Sequence, residues 1–456
     1  MRVQPVLMYR LPTPRSQASW KSWGGVQDEA QLADEVARIE GELELLKGRA
    51  EFPLVVLPLR KCTDIAGLEG IAANEGEVTL LYACTGSGEL LRACLGLKPH
   101  TVVFVRRRNG PTYYWFEALS VRYLDTREAG AVVGRTAADA CPAHVEDVVV
   151  DDYEEVLWRL RALQAITNLR ATRVLALGGP WGKYAPDAPK LAEERFGLKI
   201  LDLSYEDFAP RLSRARGDAG LARQAAEWTN RYLELAGTVL ETGRGFVERA
   251  FVLYQVFKEL MQEHAAQAFT IQSCMGTIIP MSDTTACLSL GLLLDEGRAA
   301  FCESDFVVIP AGLLLHYLAR RPVFLHNSTF PAGGEVTCAH CVSPRRMDGR
   351  RYEPARIQTH YESDYGAATK VEFPVGQEVT FIDPEYSQPR WLGFKGIVRG
   401  NPNYAICRSQ QDVEIQGEWK RLTREVRDSH WLMVYGDFLR ESGYAARKLG
   451  LRWETV

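Results

Sequence analysis

The stretch RVLALGGPWGKYAPDAPKLAEERFGLKILDLS, residues 173–204, decides the fold class of this chain. It begins with an apolar run and continues through a loop rich in Gly and Pro. A segment with helical spacing follows, and then a second apolar run that contains Asp202. This order of strand, loop, helix and strand is typical of a parallel α/β unit, because parallel strands need a long crossover that is usually a helix. We therefore predict a parallel α/β domain here.

The sequence before this stretch has the same character. FPLVVLPL, VTLLYACTG and TVVFVRR are apolar runs, and AQLADEVARIEGELELLKGR (residues 30–49) has helical periodicity. We predict a first parallel α/β domain over residues 1–155. A connecting helix over residues 154–172 leads into a second α/β domain over residues 156–297.

After residue 330 the pattern changes to an alternation of apolar and polar residues. TKVEFPVGQEVTFID, RWLGFKGIVRG and QDVEIQGEWK have period two, with Gly and Pro at the turns. Such alternation is typical of an antiparallel sheet with one buried face. The predicted fold class is therefore α/β: two parallel-sheet, Rossmann-like α/β domains followed by a β-rich, antiparallel, barrel-like C-terminal domain over residues 298–456.

Length and composition describe an ordinary globular protein. The 456 residues correspond to about three domains at roughly 150 residues each. The net charge of -4 does not indicate a protein that binds nucleic acid or an anionic membrane. The apolar run AGLLLHYLA is too short to span a bilayer, and MRVQPVLMYRLPTP lacks the apolar core of a signal peptide. With ten scattered cysteines, this predicts a cytoplasmic protein whose thiols are reduced.

Two carboxylates in AAFCESDF, residues 299–306, stand in apolar surroundings. If this segment is extended, Glu303 and Asp305 point to the same side, and burying two unpaired carboxylates is unfavourable. A hard divalent cation would neutralise both. Three histidines that follow could complete such a site: His326, His340 and His430. A strand end at the surface and histidines packed in the core remain the alternative.

Two further motifs are less specific. GGPWGK (residues 178–183) follows a strand, but its GGxxG spacing and its Pro180 and Trp181 do not suit a dinucleotide fingerprint, so a plain βα turn is favoured. CAHC (residues 338–341) has C-x2-C spacing. The chain has no second close pair that would complete a structural zinc site.

The order of these pieces resembles the L-fucose isomerase and L-arabinose isomerase superfamily, in its shorter fucose isomerase-like branch. CESDF resembles the acidic motif of that family, and VLALGG followed by FGLKILDLSYEDF resembles its second domain. VTCAHCVS is similar to a strand near the sugar, and SHWLMVYGDFLRESGYAARKLGL to the closing segment that starts with a metal-binding His. The likeness runs from about residue 160 to the end of the chain.

This resemblance implies a metal-dependent aldose–ketose isomerase. In such enzymes an ion of the Mn²⁺ type binds O1 and O2 of the open-chain sugar, and carboxylates move protons across an enediolate. Carried over by motif, the metal ligands are Glu303, Asp305 and His430, and Glu303 and Asp305 are also catalytic. We assign His340, His326 and Gln272 to the sugar. The family forms trimers or hexamers, so a homo-oligomer is implied.

Two departures from the family keep other functions open. Cys287 stands where the fucose enzymes carry a second acid, and His326 lies near the position of a Glu in the arabinose enzymes. A non-catalytic sugar-binding protein with the same fold is the first alternative. An NAD-dependent oxidoreductase that uses GGPWGK is a remote second.

Overall fold

The chain divides into two compact units, Met1–Gln164 and Ala165–Val456. The computed structural model describes residues 1–113, 122–125, 143–385, 389–425 and 428–456. Its architecture is mixed α/β, with parallel sheets and a closed antiparallel barrel in the C-terminal part. These layers agree with the predicted fold class.

The first unit contains a six-stranded parallel sheet of order β2-β1-β4-β5-β8, with β3 also paired to β1. The strands are β1 Arg2–Met8, β2 Val55–Val56, β3 Arg60–Cys62, β4 Val78–Ala83, β5 His100–Val105 and β8 Val148–Val150, and a separate pair is β6 Leu124–Asp125 with β7 Ala143–His144. The helices are Glu29–Arg49, Glu69–Ala72, Gly88–Leu95 and Tyr153–Ala171, and the last of these continues into the second unit. Strand β4 is buried along its whole length, as expected of a central parallel strand.

The prediction from FPLVVLPL is only partly met. Within this run only β2 is a strand, and β3 begins just after the run ends. Pro53 and Pro58 flank β2, and proline has no backbone N–H to give to a sheet. The predicted strands at VTLLYACTG and TVVFVRR are confirmed as β4 and β5, and the helix predicted over residues 30–49 is confirmed as Glu29–Arg49.

The second unit starts with a four-stranded parallel sheet of order β10-β9-β12-β13. Its strands are β9 Arg173–Leu177, β10 Lys199–Leu203, β12 Ala268–Ile271 and β13 Ala299–Cys302. The strand order reverses between β9 and β12, because β10 lies on one side of β9 and β12 on the other. In open α/β sheets such a switch point opens a crevice at the carboxyl ends of the strands, where ligands bind.

The pairing of β13 in this sheet bears on the predicted domain boundary at residue 298. Strand β13 was expected to open the C-terminal domain at residue 298, but it pairs along its whole length with β12. The acidic motif therefore follows an edge strand of the second sheet, and the boundary between residues 297 and 298 falls inside the second unit.

The helices of the second unit cover this sheet and the barrel. They are Ala188–Phe196, Tyr205–Gly217, Ala219–Leu233, Arg244–Glu263, Ile279–Ser282, Ala286–Asp295, Ile309–Ala319, Trp419–Glu425 and Leu439–Lys448, with a π-helical turn at Cys274–Ile278. Within the described ranges, no single helix is long and apolar enough to cross a bilayer. Cys274–Ser282 and Ala286–Asp295 reach that length and composition only together, with a bend of 95° between them.

Six antiparallel strands close into a barrel in the order β18-β21-β14-β15-β20-β19, and β19 pairs back to β18. They are β14 Phe324–Ser328, β15 Glu335–His340, β18 Glu378–Pro384, β19 Arg390–Gly400, β20 Ser409–Gln416 and β21 His430–Tyr435. Strand β22 (Arg452–Thr455) adds to β19 in parallel. A separate sheet contains β11 Thr238–Leu240, β16 Ala355–His360 and β17 Tyr365–Val371.

A glycine in the barrel gives a direct test of this packing. A Cβ added at Gly393 would lie 2.1 Å from the ring of Trp453, so we expect Gly393→Ala to lower the free energy of unfolding by about 1–3 kcal/mol. The control is Gly217→Ala, at the end of a helix with no heavy atom within 4 Å of the added carbon. Chemical denaturation compares the two. Equal stability of the two variants would contradict the packing of Trp453 against β19.

Candidate active site

The parallel sheet places three residues side by side at one edge. Leu177, Ile271 and Cys302 are aligned in register at the ends of β9, β12 and β13. The next residues, Gly178, Gln272 and Glu303, therefore leave the sheet at its carboxyl edge. This is also the switch point of the strand order. The predicted site residues Gln272 and Glu303 are brought together there by sheet geometry.

The acidic motif is a turn and not an extended segment. Glu303 and Ser304 have φ values of 67° and 50°, in the left-handed region, which non-glycine residues seldom adopt. The loop after β9 holds this turn: the Trp181 N–H donates to the Ser304 carbonyl at 3.2 Å, and the Phe306 N–H donates to the Trp181 carbonyl at 2.9 Å. The expectation that Glu303 and Asp305 point the same way by strand alternation is therefore wrong.

Asp305 lies behind His430. Both side chains are completely buried, and Asp305 Oδ2 is 2.8 Å from His430 Nδ1. The other carboxylate oxygen, Oδ1, accepts the backbone N–H groups of Lys183 at 3.0 Å and Val307 at 3.2 Å. Because an ionised carboxylate only accepts hydrogen bonds, Nδ1 of His430 is the donor. Asp305 thus fixes both the orientation and the tautomer of the ring.

The far nitrogen of His430 is available for chemistry. Its Nε2 is buried and has no hydrogen-bond partner among the described residues. It lies 3.5 Å from Oε2 of Glu303. With the proton on Nδ1, a neutral ring offers its lone pair at Nε2, which can accept a proton or bind a metal ion. Asp305 and Glu303 therefore lie next to opposite nitrogens of the His430 ring.

His340 approaches Glu303 from the other side. Its Nδ1 accepts the Val342 N–H at 3.1 Å, so the proton of the neutral ring is on Nε2. That nitrogen lies 3.7 Å from Oε1 of Glu303. Burial alone would raise the pKa of Glu303, but His340, and then His430 and Lys183, outweigh it and lower this pKa to about 2. Glu303 is therefore ionised at neutral pH, and its side chain is 41% exposed, so a ligand can reach it.

His326, predicted to contact the sugar, is placed differently. Its ring is completely buried and packs against the rings of Phe324, Phe381 and Trp431. Nδ1 lies 3.2 Å from the Ser328 hydroxyl, and the buried Nε2 has no hydrogen-bond partner among the described residues. Burial lowers the pKa of His326 to about 3, with smaller effects from other groups. This neutral ring exposes no atom to a ligand.

His326 should make the protein sensitive to acid. Its pKa is lower in the folded chain than in the unfolded chain, so below about pH 6.5 the unfolded chain binds the extra proton. Folding stability should then fall by about 1.4 kcal/mol for each pH unit below that value, until the folded pKa is reached. His326→Leu should remove this part of the loss. The measurement is the free energy of unfolding from pH 7 to pH 5, and equal slopes in both proteins would contradict the buried neutral ring.

Gln272 faces the Gly-Gly loop at the switch point. Its backbone carbonyl accepts the hydroxyl of Tyr205, and its side-chain oxygen would lie 3.8 Å from a Cβ on Gly179. Gly178 has a φ of 82°, and a Cβ there would meet the Tyr205 ring at 2.5 Å. Close packing and backbone conformation therefore require Gly178, and backbone conformation alone, with a φ of 96°, favours glycine at position 179. The following helix begins only at Ala188, which does not suit a phosphate-binding turn.

Lys183 is the residue that sequence reasoning missed. Its backbone N–H holds Asp305, and its Nζ donates to the Ser429 hydroxyl at 2.9 Å, next to His430. Its charge also contributes to the low pKa of Glu303. Loops that follow neighbouring parallel strands meet at the same edge of a sheet. The position of Lys183 in the loop after β9 was the signal that could have identified it.

The cysteines singled out by sequence lie in buried settings. Cys287 is in the first turn of the helix Ala286–Asp295, and burial raises the pKa of its thiol well above the usual range, so the thiol is neutral. Within CAHC, Cys338 interacts with Ser328 and Cys341 with Cys407. The two thiols of that motif thus have different partners.

A scan against protein-family models finds no match to the chain. A search of curated proteins finds no significantly similar sequence.

Proposed function

We propose that this chain is a metal-dependent aldose–ketose isomerase that acts on an open-chain sugar through an enediolate. One observation carries the proposal. An ionised, accessible carboxylate, Glu303, lies between two imidazoles, and Asp305 orients one of these, His430, so that its free nitrogen faces the acid. The site also lies at the switch point of a parallel sheet, where small ligands bind.

The reaction needs a base beside the sugar carbons. Interconversion of an aldose and a ketose moves a proton between C1 and C2, and negative charge develops on the sugar oxygens. Glu303 is the group that takes up and returns this proton, because it is ionised and exposed. His340 presents its Nε2–H on the same side, at 3.7 Å from Glu303, where it can donate to a sugar oxygen.

The donors at this site suit a divalent ion such as Mn²⁺. His430 supplies a buried nitrogen without a hydrogen-bond partner, and Glu303 supplies a carboxylate oxygen 3.5 Å away; oxygen and imidazole ligands are those such ions accept. In the described part of the chain, no three His, Cys, Asp or Glu side chains are close enough to form a complete metal site. A bound ion would polarise the sugar oxygens.

Asp305 then has a different role from the predicted one. It was expected to be a direct metal ligand and a catalytic residue, but its oxygens are occupied by His430 and by two backbone N–H groups. We place it behind His430 as a positioning residue. A carboxylate that holds the second nitrogen of a metal-binding His is a common arrangement, since it fixes the ring and raises its basicity.

We further propose that the protein is cytoplasmic and that it forms a homo-oligomer; the resemblance implies a trimer or a hexamer. Sedimentation of the active protein tests this. A fully active monomer would contradict it.

A sugar-binding protein without catalysis is the second candidate. It is favoured by Cys287, a neutral buried thiol at the position where the fucose enzymes that the chain resembles carry an acid. The nicotinamide alternative finds no support, because the GGPWGK loop packs against Tyr205 and holds Asp305.

A panel of aldoses and ketoses with added Mn²⁺, followed by NMR, tests the proposed function. We expect one sugar, or a small group of related sugars, to be converted to its isomer. Tight binding of a sugar without any conversion would reject the isomerase and favour the binding protein.

A further inference from the structure

Two cysteine thiols lie close together next to the turn at Glu303 and Ser304. Cys274 Sγ and Cys302 Sγ lie 3.9 Å apart. Cys302 is the last residue of β13, and Cys274 follows the end of β12 by three residues, at the start of a π-helical turn. Because Ile271 and Cys302 are in register, the segments that carry the two cysteines leave neighbouring strands at the same edge of the sheet.

We propose that Cys274 and Cys302 form an oxidisable pair that a hydroperoxide converts into a disulfide. A disulfide bond is about 2.05 Å long, so the sulfurs must approach by roughly 1.9 Å from their present separation. Side-chain rotation can supply much of a movement of this size. The pair is partly open to solvent, since Cys274 is half-buried and the neighbouring Met275 is exposed.

The two steps balance. The Cys274 sulfur attacks one oxygen of the hydroperoxide, the O–O bond breaks, and the alcohol or water leaves, so that Cys274 carries an S–OH group. The Cys302 sulfur then attacks the Cys274 sulfur, the S–O bond breaks, and the hydroxide leaves as water with the thiol proton. Together the two thiols lose two electrons and two protons, and the peroxide is reduced.

This disulfide would affect the candidate site because Cys302 and Glu303 are joined by one peptide bond. Cys302 directly precedes Glu303, whose left-handed conformation depends on the hydrogen bonds around Ser304 and Trp181. The part of the movement that side-chain rotation does not supply draws the Cys302 backbone towards Cys274, and this displaces Glu303 from its position between His340 and His430. This consequence rests on the proposed isomerase function, whereas the formation of the disulfide does not.

The test is hydrogen peroxide treatment of the full-length protein, followed by alkylation of free thiols and digestion with trypsin. Trypsin cleaves after Lys258, Arg298 and Arg320, so the disulfide joins peptides 259–298 and 299–320. Fragmentation then distinguishes Cys274 from Cys287 in the first peptide. We expect this link in the wild type, its loss with dithiothreitol, and a reversible fall in isomerase turnover of about tenfold or more.

Two variants make the result specific. Cys274→Ser should abolish the link, and Cys407→Ser should leave it unchanged, because Cys407 is the half-buried member of a separate pair with Cys341. If Cys274→Ser does not fold, Cys302→Ser carries the same expectation for the link. Absence of the 259–298 to 299–320 link, under conditions that oxidise Cys407, would overturn the proposal. A Cys274–Cys302 disulfide in a protein without isomerase activity would reject the proposed function and would still support the oxidisable thiol pair.

Discussion

Glu303→Gln should lower the turnover of the sugar by a factor on the order of 10² or more, as is typical for loss of a general base. Gln has nearly the same shape, so the fold should be retained. Its amide cannot take up the proton from the sugar carbon, and it carries no charge between His340 and His430. The measurement is turnover per folded, metal-loaded subunit, together with the melting temperature.

The matched control is Glu296→Gln. Glu296 lies just before β13, at the opposite end of that strand, where it accepts a hydrogen bond from Lys258 Nζ at 2.9 Å, and its side chain is 37% exposed. The same chemical change there should leave turnover unaltered. Wild-type turnover in Glu303→Gln would remove Glu303 from the proposed mechanism.

Asp305→Asn should lower turnover by about 10²–10⁴, the range expected when a catalytic imidazole is held in the wrong tautomer. The new amide can place its NH₂ group where Oδ2 now accepts from His430 Nδ1. To avoid two facing donors, the ring must move its proton to Nε2, and the free lone pair is then lost. Because both groups are completely buried, we also expect a loss of stability on the order of 3 kcal/mol.

A positioning role for Asp305 has a readout that a purely structural role would not change. Affinity for Mn²⁺, measured by electron paramagnetic resonance, should fall by roughly 10–100-fold in folded Asp305→Asn. The control is Asp187→Asn, since Asp187 is exposed and makes no capping hydrogen bond at its helix. If folded Asp305→Asn keeps its turnover and Mn²⁺ affinity and loses only stability, Asp305 is structural.

The layers of the fold follow from periodicity in the sequence. The strand, loop, helix and strand of residues 173–204 form as predicted, because apolar runs separated by a helical crossover favour parallel pairing. Alternation after residue 330 predicts antiparallel strands, and they form. The sheet to which β13 belongs could not be predicted in this way. A short apolar strand has the same sequence pattern at the edge of one sheet as at the start of the next domain.

Three of the predicted residues lie close together in the structure, but their geometry could not be read from the sequence. Glu303 follows the end of β13, His340 ends β15 and His430 begins β21, and these three strand termini lie near one another. The left-handed turn at Glu303 and Ser304 depends on hydrogen bonds to Trp181, a long-range contact that local sequence does not encode. His326 shows the same limit, since a single His on a strand is compatible with either a buried ring or a ligand contact.

In the proposed mechanism, Glu303 moves a proton between the carbons of a sugar. The most direct test is isomerisation in D₂O, with Mn²⁺ present and the sugar followed by NMR. The proposed mechanism predicts deuterium at C1 or C2 of the product with the wild type, and far slower incorporation with Glu303→Gln. A product without deuterium at either carbon, or the same rate of incorporation in both proteins, would contradict it.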